Sequence, residues 1–165
     1  MLTRTGVVLD RKLELVLDLL MPANALVARV MLATGLRVGD VLELTPEQIK
    51  RSVRVVERKT GKARRVTMPQ SLCDAVLRQS SRAWAFPSPR DPTRHRTRQA
   101  VWADIKRAQT ACRFSANLGT HSMRKAYAVR LMHRYHDLSK VQEVLQHDRP
   151  EVTILYALAD KLCGA

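Results

Sequence analysis

The chain has 165 residues, of which 45% are hydrophobic and 27% are charged, a composition typical of one globular domain with a buried core. Its 29 lysines and arginines outnumber 15 acidic residues, giving a formal net charge of +14. Such an excess indicates a polyanionic partner, because like charges repel one another in the compact state. Three widely spaced cysteines argue against a disulfide framework, and no apolar run is long enough to cross a bilayer. We therefore expect a soluble, intracellular protein that does not bind a membrane.

The first fifty residues are predicted to be helical. Asp10 can cap a first helix, whose apolar residues recur at helical spacing. A second apolar helix is predicted over 24–34 and stops at Gly35. A third, short helix starts just after Arg37, and Pro46 marks the next boundary.

A hairpin and more helices follow. The β-rich segments 53–57 and 64–68 flank the turn KTGK at 59–62, which predicts two antiparallel strands. Helical patterns then occupy the ranges 70–80, 96–111, 122–134, 139–146 and 150–162. The predicted fold class is mainly α (α+β) with a small antiparallel β-sheet, in one domain over 1–165.

The positive charge is concentrated in two clusters. Eight lysines and arginines lie between Lys50 and Arg65, against one glutamate. The second cluster consists of Arg90, Arg94, Arg96, Arg98, Lys106, Arg107 and Arg113. Clusters of this kind suit phosphate contacts, which position a protein on DNA without reading its sequence.

His121 and Arg124 are the first candidates for a chemical role. Three residues apart on a predicted helix, they lie on one face and could together bind phosphate oxygens. The pair taken alone also fits the polar surface of an amphipathic helix. Arg37 lies at a helix junction, where Asp40, three residues on, could hold its guanidinium group. Lys59 lies at the hairpin turn, from which it could reach outward.

Tyr156 follows His147 by nine residues and lies at the border of a predicted apolar stripe. Tyr127 and Tyr135 are further candidates on composition alone. His133 and His136 are three residues apart, but they lack the carboxylates of a familiar metal motif, so no metal site is predicted.

Together these pieces resemble the tyrosine recombinases, the phage integrase family. ATGLRVGDVLEL at 33–44 looks like their first arginine box, and RKTGKARRVTMP at 58–69 resembles their lysine hairpin. THSMRKAYAVRLM at 120–132 matches their second box, and DLSKVQEVLQHDRPEVTILYA at 137–157 is similar to their final box. Four boxes in order cover nearly the whole chain, so the resemblance implies a recombinase catalytic domain.

The resemblance also implies an activity and a set of site residues. It implies a DNA recombinase or integrase that cleaves and rejoins double-stranded DNA through a 3′-phosphotyrosyl link, as a tetramer on synapsed sites and without a metal or nucleotide cofactor. The implied catalytic residues are Arg37, Lys59, His121, Arg124, His147 and Tyr156. Those assigned to DNA binding are Arg58, Lys62, Arg64, Arg65, Arg94, Arg96, Arg98 and Lys125. A cytoplasmic, nucleoid-associated protein of a prokaryote, phage or mobile element is expected.

Several alternatives stay open. Lys62 is a rival to Lys59 as general acid. Lys125 and Gln146 stand where the family usually has histidine and glycine. No arm domain is expected before Arg37, so the chain is expected to be either an excerpt of a longer protein or a minimal form of the family. Because of these departures, a DNA-binding regulator that keeps the fold but has lost turnover stays an alternative. A type IB topoisomerase is a further alternative, because it uses related chemistry. The DNA target and the choice among integration, excision, inversion and resolution are not predicted.

Overall fold

The structure is a computed structural model that describes residues 4–113 and 118–145. Seven α-helices and one two-stranded sheet make up this part of the chain. In chain order the elements are α1 Arg4–Asp18, α2 Pro22–Thr34, α3 Val38–Leu42, a 3-10 turn at Pro46–Gln48, β1 Ser52–Val56, β2 Ala63–Thr67, α4 Gln70–Gln79, α5 Arg98–Ala111, α6 Thr120–Tyr135 and α7 Leu138–Leu145. The mainly helical fold with a small antiparallel sheet is therefore confirmed.

Helix α2 lies at the centre of the described structure. It packs against α1, α3, α4, α5 and α6 and against β2, and its buried residues are distributed around the helix rather than along one face. A helix that is apolar on nearly all sides is stable only when other elements surround it. The C-terminal end of α2 therefore lies within the core, where α6 and the hairpin also meet.

Gly35 ends α2 because it adopts a conformation that other residues rarely adopt. Its φ of 68° is left-handed, and its N–H donates to the carbonyl of Met31 at 2.7 Å. A Cβ at this position would also overlap the ring of Tyr127 on α6. The predicted stop at Gly35 is confirmed, and the missing side chain lets α6 approach the end of α2.

The hairpin pairs β1 with β2 in antiparallel register, from Ser52 opposite Thr67 to Val56 opposite Ala63. Glu57 continues the pairing, since its N–H donates to the carbonyl of Lys62 at 3.0 Å. Both strands begin one residue earlier than predicted, and the predicted hairpin is confirmed.

A second, smaller apolar cluster joins α6 to α7. Ala128 and Leu131 of α6 are buried against Val141 and Leu145 of α7, with Tyr127 packed at the side. This contact attaches α7 to the main core through α6. No helix among the described residues is long and apolar enough to cross a membrane.

The helices predicted from residues 24 and 122 begin two residues earlier, at Pro22 and Thr120. Two further predicted starts are wrong for identifiable reasons, and one predicted helix cannot be placed. The first helix begins at Arg4, so Asp10 lies inside it and is not its cap. The helix predicted from residue 96 begins at Arg98, because the hydroxyl of Thr97 accepts from the N–H of Ala100 at 3.1 Å and caps it. The helix predicted over 150–162 lies outside the described residues.

Candidate active site

The fold brings Arg37 and Arg124 together from distant parts of the chain. Arg37 comes two residues after Gly35, and Arg124 lies near the start of α6, which packs along α2. The Nη1 of Arg37 donates to Oε2 of Glu57, and the Nη1 of Arg124 lies 3.7 Å from Oε1 of the same carboxylate. Two guanidinium groups from distant parts of the chain therefore lie around one acidic side chain.

Glu57 is the residue that the sequence reasoning missed. Its side chain is fully buried, and it follows β1 on the inward side of the hairpin, the side that also buries Val55. Strand alternation puts positions 55 and 57 on one face, and Glu57 is the single acid in the first basic cluster. Those two signals together could have identified it, because an acid on a buried face needs cationic partners.

Asp40 does not hold Arg37, contrary to expectation. Arg37 precedes α3 in an extended conformation (φ −71°, ψ 152°), so the i, i+3 geometry of a helix does not apply to the pair. The Oδ1 of Asp40 instead accepts from the backbone N–H of Arg58 at 3.0 Å. Asp40 therefore anchors the base of the hairpin turn that carries Lys59.

Arg124 is held by backbone as well as by charge. Its Nη1 donates to the carbonyl of Gly35 at 2.6 Å, and its Nη2 donates to the carbonyl of Leu145 at 2.7 Å. Burial, and next the neighbouring charge of Arg37, lowers the pKa of Arg124 to about 10. The guanidinium is thus still protonated at neutral pH, and its position is fixed by the ends of two helices.

Arg64 was expected on the DNA-binding surface, and its placement contradicts that assignment. The side chain is buried, with its Nε donating to Oε1 of Glu57 at 2.9 Å. Its two Nη atoms donate to the carbonyls of Thr34 at 2.9 Å and Val144 at 3.0 Å. Because all three nitrogens donate to internal acceptors, Arg64 holds Glu57 and the backbone of α2 and α7 together in the interior.

His121 lies in the first turn of α6, where the positive charges of Arg37 and Arg124 act on it. Desolvation lowers the pKa of His121 most, followed by the positive charges of Arg98, Lys125, Arg124 and Arg37. The ordinary histidine pKa already lies below neutrality, so the imidazole of His121 is neutral at pH 7. A neutral imidazole has a ring nitrogen that can accept a proton.

A model described as the phage integrase family matches residues 16–162. The chain belongs to the phage integrase family. It is similar to the integrase of Escherichia phage P2, with 29% identity over 154 residues that cover 93% of this chain and 43% of the relative. It is also similar to tyrosine recombinase XerD of Vibrio vulnificus strain YJ016, with 35% identity over 141 residues that cover 77% of this chain and 46% of the relative. The chain thus spans less than half the length of these relatives.

Solved structures show the same fold. The XerH site-specific recombinase bound to its difH substrate superposes with a TM-score of 0.71 at 19% identity, over 90% of this chain and 48% of that chain. The catalytic domain of bacteriophage HP1 integrase superposes with a TM-score of 0.59 at 24% identity, over 81% of this chain and 73% of that chain. The predicted family resemblance is confirmed.

Most of the other basic residues singled out in this integrase-family chain are exposed. Arg58 pairs with Glu43 at the surface, and Arg94 lies 3.5 Å from Asp91. Arg96 is half-buried, and burial lowers its pKa. The exposed residues are Arg58, Lys59, Lys62, Arg65, Arg94, Arg98 and Lys125. Both candidate general acids, Lys59 and Lys62, therefore remain accessible at the hairpin turn.

Two of the predicted catalytic residues, His147 and Tyr156, lie outside the described residues. The description of the C-terminal part ends at Leu145, the residue whose carbonyl accepts from Arg124. Across residues 4–113 and 118–145, no group of three or more histidine, cysteine, aspartate or glutamate side chains is arranged to hold a metal ion.

Proposed function

We propose that this chain is the catalytic domain of a site-specific DNA recombinase that cleaves and rejoins strands through a covalent 3′-phosphotyrosyl intermediate on Tyr156. The observation that carries the proposal is the convergence of Arg37 and Arg124 on one buried carboxylate beside His121. The cluster of Arg37, Arg124 and His121, called the phosphate pocket below, supplies permanent positive charge from its two arginines where a phosphodiester needs it. Membership of the phage integrase family supports the same reading.

The cleavage step needs a nucleophile, an acid and charge stabilisation. The phenol oxygen of Tyr156 attacks the phosphorus, its proton passing to the neutral imidazole of His121, and the bond from phosphorus to the 5′ oxygen breaks. Arg37 and Arg124 stabilise the additional negative charge on the phosphate oxygens, assisted by a hydrogen bond from His147. The leaving 5′ oxygen takes a proton from Lys59, with Lys62 as the rival donor.

Rejoining is the reverse of this step with a different strand. A second 5′-hydroxyl attacks the phosphotyrosyl bond, and the tyrosine regains its proton. The phosphodiester bond energy is stored in the covalent link, so the exchange needs no external energy source. In this proposal double-stranded DNA is the partner, and four copies of the protein act on two synapsed sites in the cytoplasm, at the nucleoid.

The exposed basic residues around the pocket supply the DNA-binding surface in this proposal. Arg98 and Lys125 act electrostatically on His121, which supports a surface continuous with the pocket. Arg64 is left out of this surface because its donors face inward. The contacts to phosphate position the domain without reading base sequence.

The decisive experiment traps the covalent intermediate. Duplexes with a fixed nick and randomised flanking sequence are incubated with the protein, so that the released short strand diffuses away and religation cannot occur. We expect a slow-migrating protein–DNA band on a denaturing gel, and sequencing the trapped DNA defines the target. The band should disappear with Tyr156→Phe.

Covalent trapping, a gel shift and a plasmid-relaxation assay together separate the alternatives. A band that persists with Tyr156→Phe would assign the nucleophile to another residue and overturn the proposal. Retention of DNA by a gel shift without any covalent band would favour the regulator. Relaxation of supercoiled plasmid without strand exchange between two sites would favour the topoisomerase.

A further inference from the structure

Three buried or half-buried arginines surround one carboxylate in this protein. Arg37, Arg64 and Arg124 approach Glu57, whose side chain has no contact with solvent. Like charges in a desolvated cluster repel strongly, so such an arrangement needs a counter-charge. Among the described residues, Glu57 is the acidic residue that forms an ion pair with all three arginines.

The three arginines do not depend on Glu57 equally. Arg64 and Arg124 each donate to two backbone carbonyls, at the ends of α2 and α7. Arg37 has no such support, since Glu57 is the one hydrogen-bond acceptor that the described structure gives its guanidinium. Loss of the Glu57 carboxylate would therefore release Arg37 first, while the other two retain their backbone partners.

The two oxygens of Glu57 have separate tasks. Oε1 accepts from Nε of Arg64, and Oε2 accepts from Nη1 of Arg37. A glutamine at this position has one oxygen and one amide nitrogen, and the amide would turn a donor toward one of the two guanidinium groups. An ionised carboxylate is therefore the group that can hold both arginines at once.

We propose that Glu57 is a positioning residue for the phosphate pocket, which fixes the guanidinium of Arg37 in place before DNA binds. This inference rests on the proposed function for its catalytic consequence, because Arg37 matters for cleavage only if the chain cleaves DNA. Glu57 acts through Arg37 and need not touch the phosphate itself. Its buried position within the clamp suits that role.

The direct test observes Arg37 without requiring activity. In protein labelled with ¹⁵N-arginine, a guanidinium fixed by hydrogen bonds gives separate, slowly exchanging Nη–H signals. We expect such signals from both Arg37 and Arg124, assigned with Arg37→Lys and Arg124→Lys. In Glu57→Gln the Arg37 signals should be lost while those of Arg124 remain. Unchanged Arg37 signals would overturn the proposal.

A second variant and a control guard against misfolding. Glu57→Asp keeps the charge but shortens the side chain by one methylene, so it should fold and broaden the Arg37 signals. Should Glu57→Gln not fold, Glu57→Asp carries the test, and Arg37 signals as sharp as in the wild type would then reject the role. Glu14→Gln removes one of two acidic partners of Arg29, far from Glu57 in sequence, and should change the signals of neither Arg37 nor Arg124.

Cleavage rates add a readout that a structural role alone would not move. We expect Glu57→Gln to slow covalent trapping by about 100-fold with DNA binding changed less than about threefold, because a misplaced group costs the chemical step. In an Arg37→Ala background the same change should add less than about threefold, because Glu57 acts through Arg37. A full 100-fold additional loss would contradict the role. Absence of trapping by the wild type would reject the proposed function, whereas the ¹⁵N signals would still decide the role of Glu57.

Discussion

The surroundings of His121 determine how this single residue responds to pH. Desolvation and then the charge of Arg98 lower the pKa of His121, so the imidazole takes up a proton only below the ordinary histidine range. Removing a positive neighbour makes protonation easier and raises the pKa. We therefore expect Arg98→Gln to raise the His121 pKa, measured by NMR titration of ¹⁵N-histidine in the free protein.

Arg94→Gln provides the comparison for that titration. Arg94 is an exposed arginine of the same basic cluster, but it is not among the charges that act on His121. Its removal should leave the titration of His121 unchanged. An unchanged pKa in Arg98→Gln, or an equal rise in both variants, would contradict the local electrostatic account.

Arg64 and Arg65 are adjacent arginines with opposite environments. Arg64 is buried and bound to three internal acceptors, whereas Arg65 is exposed and donates to the hydroxyl of Ser52 at 3.2 Å. Breaking a buried ion pair from one side leaves an uncompensated charge. We expect Arg64→Ala to lower the free energy of unfolding by about 3 kcal/mol and Arg65→Ala by at most about 0.5 kcal/mol, measured by urea denaturation.

A comparable loss of stability in both variants would refute the burial of Arg64. DNA affinity should fall more in Arg65→Ala than in Arg64→Ala when it is measured under conditions where both variants are folded. Arg65→Ala removes an exposed cation from the proposed DNA surface, whereas the Arg64 guanidinium is buried and each of its nitrogens already donates to an internal acceptor. The pair shows that neighbouring residues of one type can only be assigned once strand alternation is taken into account.

The helix ends contain the clearest element-level constraint, at Gly35. Gly35→Ala would place a methyl group in the left-handed region and against the ring of Tyr127. Backbone strain of this kind costs about 2 kcal/mol, and the overlap with Tyr127 adds to it. We expect the free energy of unfolding to fall by at least that amount, measured by thermal or urea unfolding.

Gly39→Ala is the matched control for that substitution. Gly39 lies inside α3, and a Cβ there would meet no atom within 4 Å. Alanine is the better helix former by about 1 kcal/mol, so this variant should be neutral or slightly more stable. Equal destabilisation at both glycines would show that the Tyr127 contact does not limit the approach of α6 to α2.

Local signals were sufficient for most elements and insufficient for some boundaries. The hairpin and the stop at Gly35 could be predicted because β-rich alternation and glycine conformation are local properties. The start of α1 could not, because an aspartate such as Asp10 is favourable at a helix cap and also tolerated inside a helix. Thr97 would have been the better cap for α5, since its hydroxyl can reach the N–H of Ala100.

The sequence could name candidate residues of the site but could not predict the contacts between them. Arg37 and Arg124 could be named because their boxes resemble those of a family. Their meeting at Glu57 could not be read from spacing, because it depends on how α6 packs against the end of α2. Asp40 does not pair with Arg37, because the extended backbone at Arg37 separates two side chains that are only three residues apart in sequence.

At the scale of the whole molecule, the net charge of +14 predicts a strong dependence of DNA binding on salt. Each phosphate contact releases counterions, and six or more contacts weaken binding by about a thousandfold or more between roughly 50 and 200 mM salt. We expect a slope of log affinity against log salt of about −5 or steeper, measured by fluorescence anisotropy with labelled duplex. A slope near zero would exclude a phosphate-dominated interface.

A single substitution should change that slope only where it removes a cation of the proposed DNA-binding surface. Arg98→Ala should reduce its magnitude by about 1, the contribution of one phosphate contact. Arg78→Ala supplies the control, since Arg78 is exposed on α4 and belongs to neither basic cluster. An equal change for both variants would indicate a diffuse charge effect instead of a defined surface.

The two buried arginines Arg64 and Arg124 connect the last residues of α2 to the last residues of α7, because each donates to one carbonyl at each helix end. The binding of an anion to Arg124 and the docking of α7 on the core are therefore linked equilibria. If anion binding stabilises the docked position of α7 by some free energy, the docking of α7 strengthens anion binding by the same amount.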